Sequence, residues 1–571
     1  MDRKRLPIGI DSFEKIRDQE ENRYYVDKTL FIKDLIDFKS EVNLFTRPRR
    51  FGKTLNMSML KCFFEKDPKN SIGRPIDTEA LFSGLAIMDA GEKYLVHMNR
   101  YPVIFLTLKS AKQPDWNLAY SSLVREISRE FRRHLSILDF PLLLPSQKER
   151  FMKIADGKGE GEDCVQALQF LSECLYKVYG EKVLILIDEY DVPLENAYFA
   201  GFYQEMIGFI RSLFESALKT NDSLAFAVLT GCLRISKESI FTGLNNLDII
   251  SILNKSYSEH FGFTQKEVDS MLEYYTLLEK REEAKLWYDG YIFGETEVYN
   301  PWSIINYVDD GADVFPKAYW ANTSGNSIVR KLVETAEGEV KAEIEELVRG
   351  GTVEKPIHEE ITYGDIESGG DHLWNFLFFT GYLKKVSERF SEEGVLYVTM
   401  KIPNTEVKTI YENQIMDWFR DRLAVKDRSR LYEAVSKGDA GVFEEELSAL
   451  LRASISYMDS YESFYHGFVA GVLTGMPDYL LKSNRESGNG RSDIAIRALT
   501  IRKPAIILEL KTADKPRDLE KKCEEALEQI MNKKYDQELY EDGFDIAIHY
   551  GIAFFRKECR IKTVTVELGE S

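Results

Sequence analysis

The chain has 571 residues, a formal net charge of −19 and 44% hydrophobic residues, too long for one hydrophobic core and suited to about three domains. Its apolar runs fall well short of the roughly 20 residues a membrane-spanning helix needs. The start, Met1-Asp2-Arg3-Lys4-Arg5, leads into Pro7, Gly9 and Asp11 rather than an apolar leader, so a cytoplasmic protein with no membrane role is expected. The acidic total excludes indiscriminate coating of nucleic acid, which needs positive potential. Six cysteines without a Cys-x-x-Cys pair point to reduced thiols, with neither disulfides nor zinc.

In chain order, Val42-Asn43-Leu44-Phe45 predicts a short buried strand, Thr46 to Thr54 a loop, and Leu55 to Leu60 an amphipathic helix. Strand, loop and helix around Gly52-Lys53-Thr54 form the pattern of a phosphate-binding loop. Backbone N–H groups and a helix N-terminus face the phosphates, Lys53 takes the outer ones, and the Thr54 hydroxyl takes magnesium. Arg47 stands where the first glycine of such a loop is usual, so the motif is degenerate, and Arg49 and Arg50 are candidate phosphate contacts. Three further apolar runs, Val103 to Leu108, Val183 to Ile187 and Leu224 to Leu229, predict strands buried on both faces, with helical segments between them.

The second of these runs ends in Asp188-Glu189-Tyr190-Asp191, where acids sit at the ligand-binding edge of an open α/β sheet. Asp188 is expected to hold magnesium and Glu189 to polarise the water attacking the γ-phosphate. Thr230, after the third run, is placed to sense that phosphate. The middle of the chain predicts a helix starting at Asn300-Pro301. An apolar Phe376 to Phe379 segment follows, then two strand-like runs, Tyr382 to Val386 and Val395 to Met400, across a charged turn. That order is a winged-helix pattern; a plain packing module fits it equally.

Near the C-terminus Asp493 precedes a strand-like Ile-Ala-Ile, and Ile506-Ile507-Leu508-Glu509-Leu510-Lys511 follows. Alternation along a strand puts Glu509 and Lys511 on one face. Buried charges at that spacing are costly unless both are used. Asp493 and Glu509 are suited to a hard divalent cation and Lys511 to orienting or deprotonating a water. Basic residues from Lys482 to Lys522 crowd this segment; a solvated face explains them as readily as a nucleic-acid surface.

Together, Leu6-Pro7-Ile8-Gly9, Tyr25-Val26-Asp27-Lys28-Thr29, Thr46 to Thr54, Asp188 to Asp191, Thr230-Gly231, Trp287 to Tyr291, Tyr299 to Ser303, Asn484 to Gly488 and Glu509-Leu510-Lys511 resemble bacterial and archaeal AAA-ATPase-like proteins that carry a C-terminal PD-(D/E)XK nuclease-superfamily domain. The resemblance covers nearly the whole chain. It implies an α/β architecture: a P-loop NTPase parallel-sheet domain (1–254), a helical, winged-helix-like lid (255–430) and a PD-(D/E)XK nuclease-like domain (431–571). It implies ATP and Mg2+ as cofactors, with Mn2+ as a substitute, and nucleic acid as partner, DNA ahead of RNA. A homo-oligomer is left open. It adds Glu462 as an optional helix-borne metal ligand to Asp493 and Glu509, and points to Gln529 and Tyr535, whose spacing differs from that of relatives. A nucleotide-switched scaffold with a non-cleaving nuclease fold is the alternative.

Overall fold

Five short strands become one parallel sheet: β1 (Val42–Thr46), β2 (Val103–Thr107), β3 (Val183–Asp188), β4 (Leu224–Gly231) and β5 (Leu247–Ile250), in the order β2-β3-β4-β1-β5. Every residue of β1 and β3 is buried, as strands covered by helices on both faces require. The register sets Thr46 beside Gly231 and Thr107 beside Asp188, so the C-terminal ends of β1, β2, β3 and β4 share one edge. β4 lies between β1 and β3 and thereby brings Thr230 between the phosphate loop and the acidic strand end. β5, only four residues long and mostly half-exposed, carries too weak a pattern to be legible in the sequence.

The computed structural model describes residues 3–69, 73–219, 221–234, 240–241, 245–311, 315–322, 338–358, 371–412, 428–452, 462–487, 490–532 and 536–568. The chain divides into two compact units, Met1–Asn326 with Thr352–Ile410, and Ser327–Gly351 with Tyr411–Ser571. The stretch expected as a separate lid, 255–430, is therefore shared: as far as 410, apart from 327–351, it folds with the parallel sheet.

In that first unit a hairpin, β6 (Tyr291–Phe293) and β7 (Thr296–Val298), precedes the helix Pro301–Asp310. Asn300 caps this helix, its side chain accepting from the Trp302 backbone N–H at 3.0 Å. The helix Asp371–Phe379 leads into an antiparallel sheet of β8 (Val353–Pro356), β9 (Lys384–Phe390) and β10 (Leu396–Lys401), ordered β8-β10-β9. The two-stranded wing of the sequence pattern thus gains a third strand, from residues that precede the helix.

The second unit holds a mixed sheet of β11 (Tyr479–Ser487), β12 (Gly490–Ala498), β13 (Ala505–Thr512), β14 (Ile546–Phe555) and β15 (Glu558–Glu567), in sequence order. Only β13 and β14 run parallel, and the helix Leu519–Asn532 makes the crossover between them. This helix presses on β14 at Gly551, where a Cβ would stand 2.4 Å from the Cys523 carbonyl oxygen. Gly551 is paired with Glu509, so the missing side chain brings the helix against the candidate site. Among the described residues no helix is long and apolar enough to cross a membrane, and all six cysteines are free.

Candidate nucleotide and metal sites

Gly52 caps the helix Lys53–Phe64 in the left-handed conformation, φ 83°, which a side chain would strain. The turn aims the first N–H groups of a twelve-residue helix into the loop. Lys53, 6% exposed, folds back on that loop: its Nζ donates to the carbonyls of Arg47 and Pro48, both at 2.9 Å, and lies 3.6 Å from Cys232 Sγ. The Thr54 hydroxyl donates to Asp188 Oδ2 at 2.8 Å, and the Thr230 hydroxyl donates to Asp188 Oδ1. Asp188 is 1% exposed; burial pushes its carboxyl up, and the two hydroxyls oppose that push. Three residues from separate parts of the sequence thus meet at the sheet edge. Glu189 follows with φ 54° and a half-buried side chain.

The arginines of the loop are each engaged. Arg47 is fully buried, its guanidinium 5.0 Å and 5.2 Å from the ring centres of Phe261 and Phe293, donating to the Thr46 and Ile250 carbonyls at 2.9 Å and 2.8 Å. Arg49 pairs with Glu195, and Arg50 lies 4.3 Å above the Trp302 ring. Asp191 is a residue that sequence reasoning left without a role. Its Oδ2 accepts from the backbone N–H groups of Cys232 and Leu233 at 2.7 Å and 3.0 Å, tying the end of β3 to the end of β4, and burial pushes its carboxyl up to about 6. The tie needs Gly231, where a Cβ would collide with Tyr190. An apolar cavity lies behind Gly52, lined by Pro7, Tyr24, Tyr25, Val26, Asn56 and Met271 among others. An open cleft of about 510 Å³ on the side of Thr54 and Asp188 is lined by Ser58, Thr107, Lys109 and Arg129 among others.

At the second site β12 and β13 pair with Ile494 opposite Leu508; one residue further along that register sets Asp493 opposite Glu509. Asp493 Oδ2 accepts from the Leu510 backbone N–H at 2.8 Å. Glu509, 2% exposed, has its Oε1 3.4 Å from Lys511 Nζ and accepts a hydrogen bond from Gln529 Nε2. Burial first, and then the Asp493 charge, push the Glu509 carboxyl up to about 7, with Lys511 opposing. Its Oε2 is buried without a hydrogen-bond partner. An orphaned, desolvated carboxylate oxygen beside a second carboxylate fits a hard cation, whose charge would compensate the burial.

Among the described residues no group of three or more His, Cys, Asp or Glu side chains is arranged to hold a metal; the carboxylates here are two. Glu462 opens the helix Glu462–Leu473, but its side chain lies outside the described residues, as does Tyr535. His466, on the same helix, donates from Nε2 to the Asp493 carbonyl at 2.7 Å and so fixes the backbone of a candidate ligand. Gln529 reaches Glu509 because the crossover helix is held close at Gly551, a contact that spacing in the sequence does not show.

Residues 7–241 match the family model described as predicted AAA-ATPase, and residues 460–564 match that of the PD-(D/E)XK nuclease superfamily. A curated relative, described as an uncharacterized protein in the vnfD 5′ region of Azotobacter chroococcum mcd 1, is 32% identical over 308 residues, 53% of this chain and 52% of the relative. The chain thus spans about half the length of that relative.

Proposed function

From a chain whose residues 7–241 form a predicted AAA-ATPase domain and whose residues 460–564 form a PD-(D/E)XK nuclease-superfamily domain, we propose a cytoplasmic, ATP-dependent, Mg2+-requiring nuclease that acts on DNA. The observation that carries this reading is the partnerless buried oxygen of Glu509, next to Asp493, Lys511 and Gln529. What sets this carboxylate apart is the convergence of a second carboxylate, an ammonium and an amide on one buried spot.

At the first site, incoming phosphates compete with the Arg47 and Pro48 carbonyls for the Lys53 ammonium, and the Gly52 turn supplies N–H groups to the β-phosphate side. The Thr54 hydroxyl and Asp188, now bonded to each other, would hold magnesium, which would supply positive charge against the phosphates. Asp188 then balances that charge, Glu189 accepts a proton from the attacking water, and Thr230 holds the acid in place.

At the second site Asp493 and Glu509 would hold the divalent ion, Mg2+ or Mn2+, with Glu462 as the candidate third carboxylate. When bound, the ion neutralises charge developing on the scissile phosphate. Lys511 donates to the attacking water and aligns it. The water oxygen bonds to phosphorus as the P–O bond to the leaving oxygen breaks; the proton the water loses passes to solvent, and the leaving oxygen takes one from solvent. Gln529 holds Glu509 Oε1 and leaves Oε2 unpartnered, so that oxygen would be the one available to an ion.

The test is Glu509→Gln, assayed with plasmid, single-stranded DNA and RNA in Mg2+ with and without ATP. Cutting should disappear while nucleotide binding is unchanged. A variant that still cuts refutes the assignment, and a parent protein that binds strands without cutting them leaves a nucleotide-switched scaffold in its place.

A further inference from the structure

The three cations at the start of the chain have no part in either site, and the fold gives them a rigid setting. Backbone bonds pin them: Arg5 N–H to the Asn22 carbonyl at 3.0 Å, Tyr24 N–H to the Arg5 carbonyl at 2.9 Å, and Tyr275 Oη to the Lys4 carbonyl at 2.7 Å. With Arg23 they line a cavity of about 590 Å³ that also borders Tyr275 and Asp309. Its size is that of a ligand pocket.

The charges there are poorly compensated. Arg3 donates to the Thr276 hydroxyl at 2.7 Å and lies 5.8 Å from the Tyr275 ring centre. Arg23 pairs with Glu21, while its Nε is buried without a partner. Lys4 and Arg5 are exposed, and among the described residues their side chains meet no acid. Among the described residues Asp309 is the lone acid lining the cavity. In a chain of net charge −19, such a concave cationic spot raises the local concentration of anions. Beside it Tyr24, Tyr274 and Tyr275 pack with ring centres 5.0–5.6 Å apart, and Tyr274 is 40% exposed.

We propose that this cavity binds a single-stranded nucleic-acid segment, with phosphates on Arg3, Lys4 and Arg5 and a base against Tyr274. Guanidinium forks match phosphate oxygens in pairs. An exposed aromatic face next to them takes an unstacked base, which a single strand offers and a duplex does not. The inference deepens the nucleic-acid reading above and rests on it for the choice of polyanion.

The test uses the full chain in EDTA, where no strand is cut, with fluorescently labelled single-stranded DNA and RNA and fluorescence anisotropy across a salt series. Arg3→Gln combined with Arg5→Gln should weaken binding uniformly across sequences and reduce the salt slope by about 1.4, at about 0.7 per phosphate contact on single strands. Asp309→Asn should tighten binding. Unchanged affinity and slope overturn the proposal, as does inorganic pyrophosphate competing as strongly as a strand. Should the double variant fail to fold, Asp309→Asn decides alone: tighter binding supports the cavity, unchanged binding overturns it. Lost cutting in Glu509→Gln with unaltered strand binding concerns only the hydrolytic site. A parent that cuts, together with Arg3 and Arg5 variants that bind as tightly as it does, counts only against this cavity.

Discussion

Replacing Arg47 separates charge from packing in the phosphate loop. Burial pushes its guanidinium far below its ordinary range, to about 9, a desolvation cost of about 5 kcal/mol at roughly 1.4 kcal/mol per pKa unit. Two hydrogen bonds from its Nη1 return about 1.5–3 kcal/mol each and two ring contacts about 0.5–2 kcal/mol each, but Nε and Nη2 are buried without a partner, so the charge adds little net stability. Arg47→Met fills the slot between Phe261 and Phe293 without the charge and should stay within about 2 kcal/mol of the parent. Arg47→Ala loses the same hydrogen bonds and also empties the slot, and should cost about 3–5 kcal/mol. Urea unfolding followed by tryptophan fluorescence measures both, because Trp116, Trp287, Trp302, Trp320 and Trp374 all lie in the first unit. Methionine proving as damaging as alanine would refute the reasoning, since the hydrogen bonds would then outweigh the packing.

Glu406 is fully buried, accepts from the Ser303 hydroxyl at 2.8 Å and the Trp320 backbone N–H at 2.9 Å, and is pushed up by burial to about 7. Its folded value lies above its unfolded one, so the folded state binds the extra proton and stability falls as pH rises from about 4.5 to 7. Glu406→Gln should remove about 3 kcal/mol of that pH dependence from the first unit; an unchanged difference in urea midpoint between pH 5 and pH 8 counts against it. Lys28 is buried, with Nζ 2.6 Å from Glu267 Oε2 and 2.7 Å from the Glu259 carbonyl. Lys28→Met should destabilise the unit by about 3–5 kcal/mol, and adding Glu267→Gln should restore part of it, in a double-mutant cycle. Gln529→Ala should lower Mg2+ affinity or cutting by about 10–100-fold with nucleotide binding unchanged; unaltered metal titration would show that the contact to Glu509 does not orient it.

Much of both sites was legible because chemistry-bearing residues sit at strand ends and local patterns mark strand ends. Gly52-Lys53-Thr54 follows a short apolar run, Asp188 closes a longer one, and Glu509 with Lys511 interrupts a third, so alternation and burial cost alone singled them out. What escaped notice lies between elements. Asp191 depends on backbone N–H groups of Cys232 and Leu233, some forty residues away. The bond from Gln529 to Glu509 depends on how near a helix comes to β14, which Gly551 decides. The third strand of the middle sheet, β8, precedes its partners and the helix, an order that no local period reveals.

From residue order alone came the periods, the charge placed within apolar runs and the glycine whose backbone freedom a phosphate turn demands, because each depends on neighbours along the chain. The three-dimensional fold alone decided that Asp188 stands between the hydroxyls of Thr54 and Thr230, that Arg47 is locked between two phenylalanines more than two hundred residues away, and that one oxygen of Glu509 is left dry and unpaired. Those outcomes turn on strand order and on the distance between packed surfaces, and free energies of desolvation respond to that geometry rather than to position in the sequence.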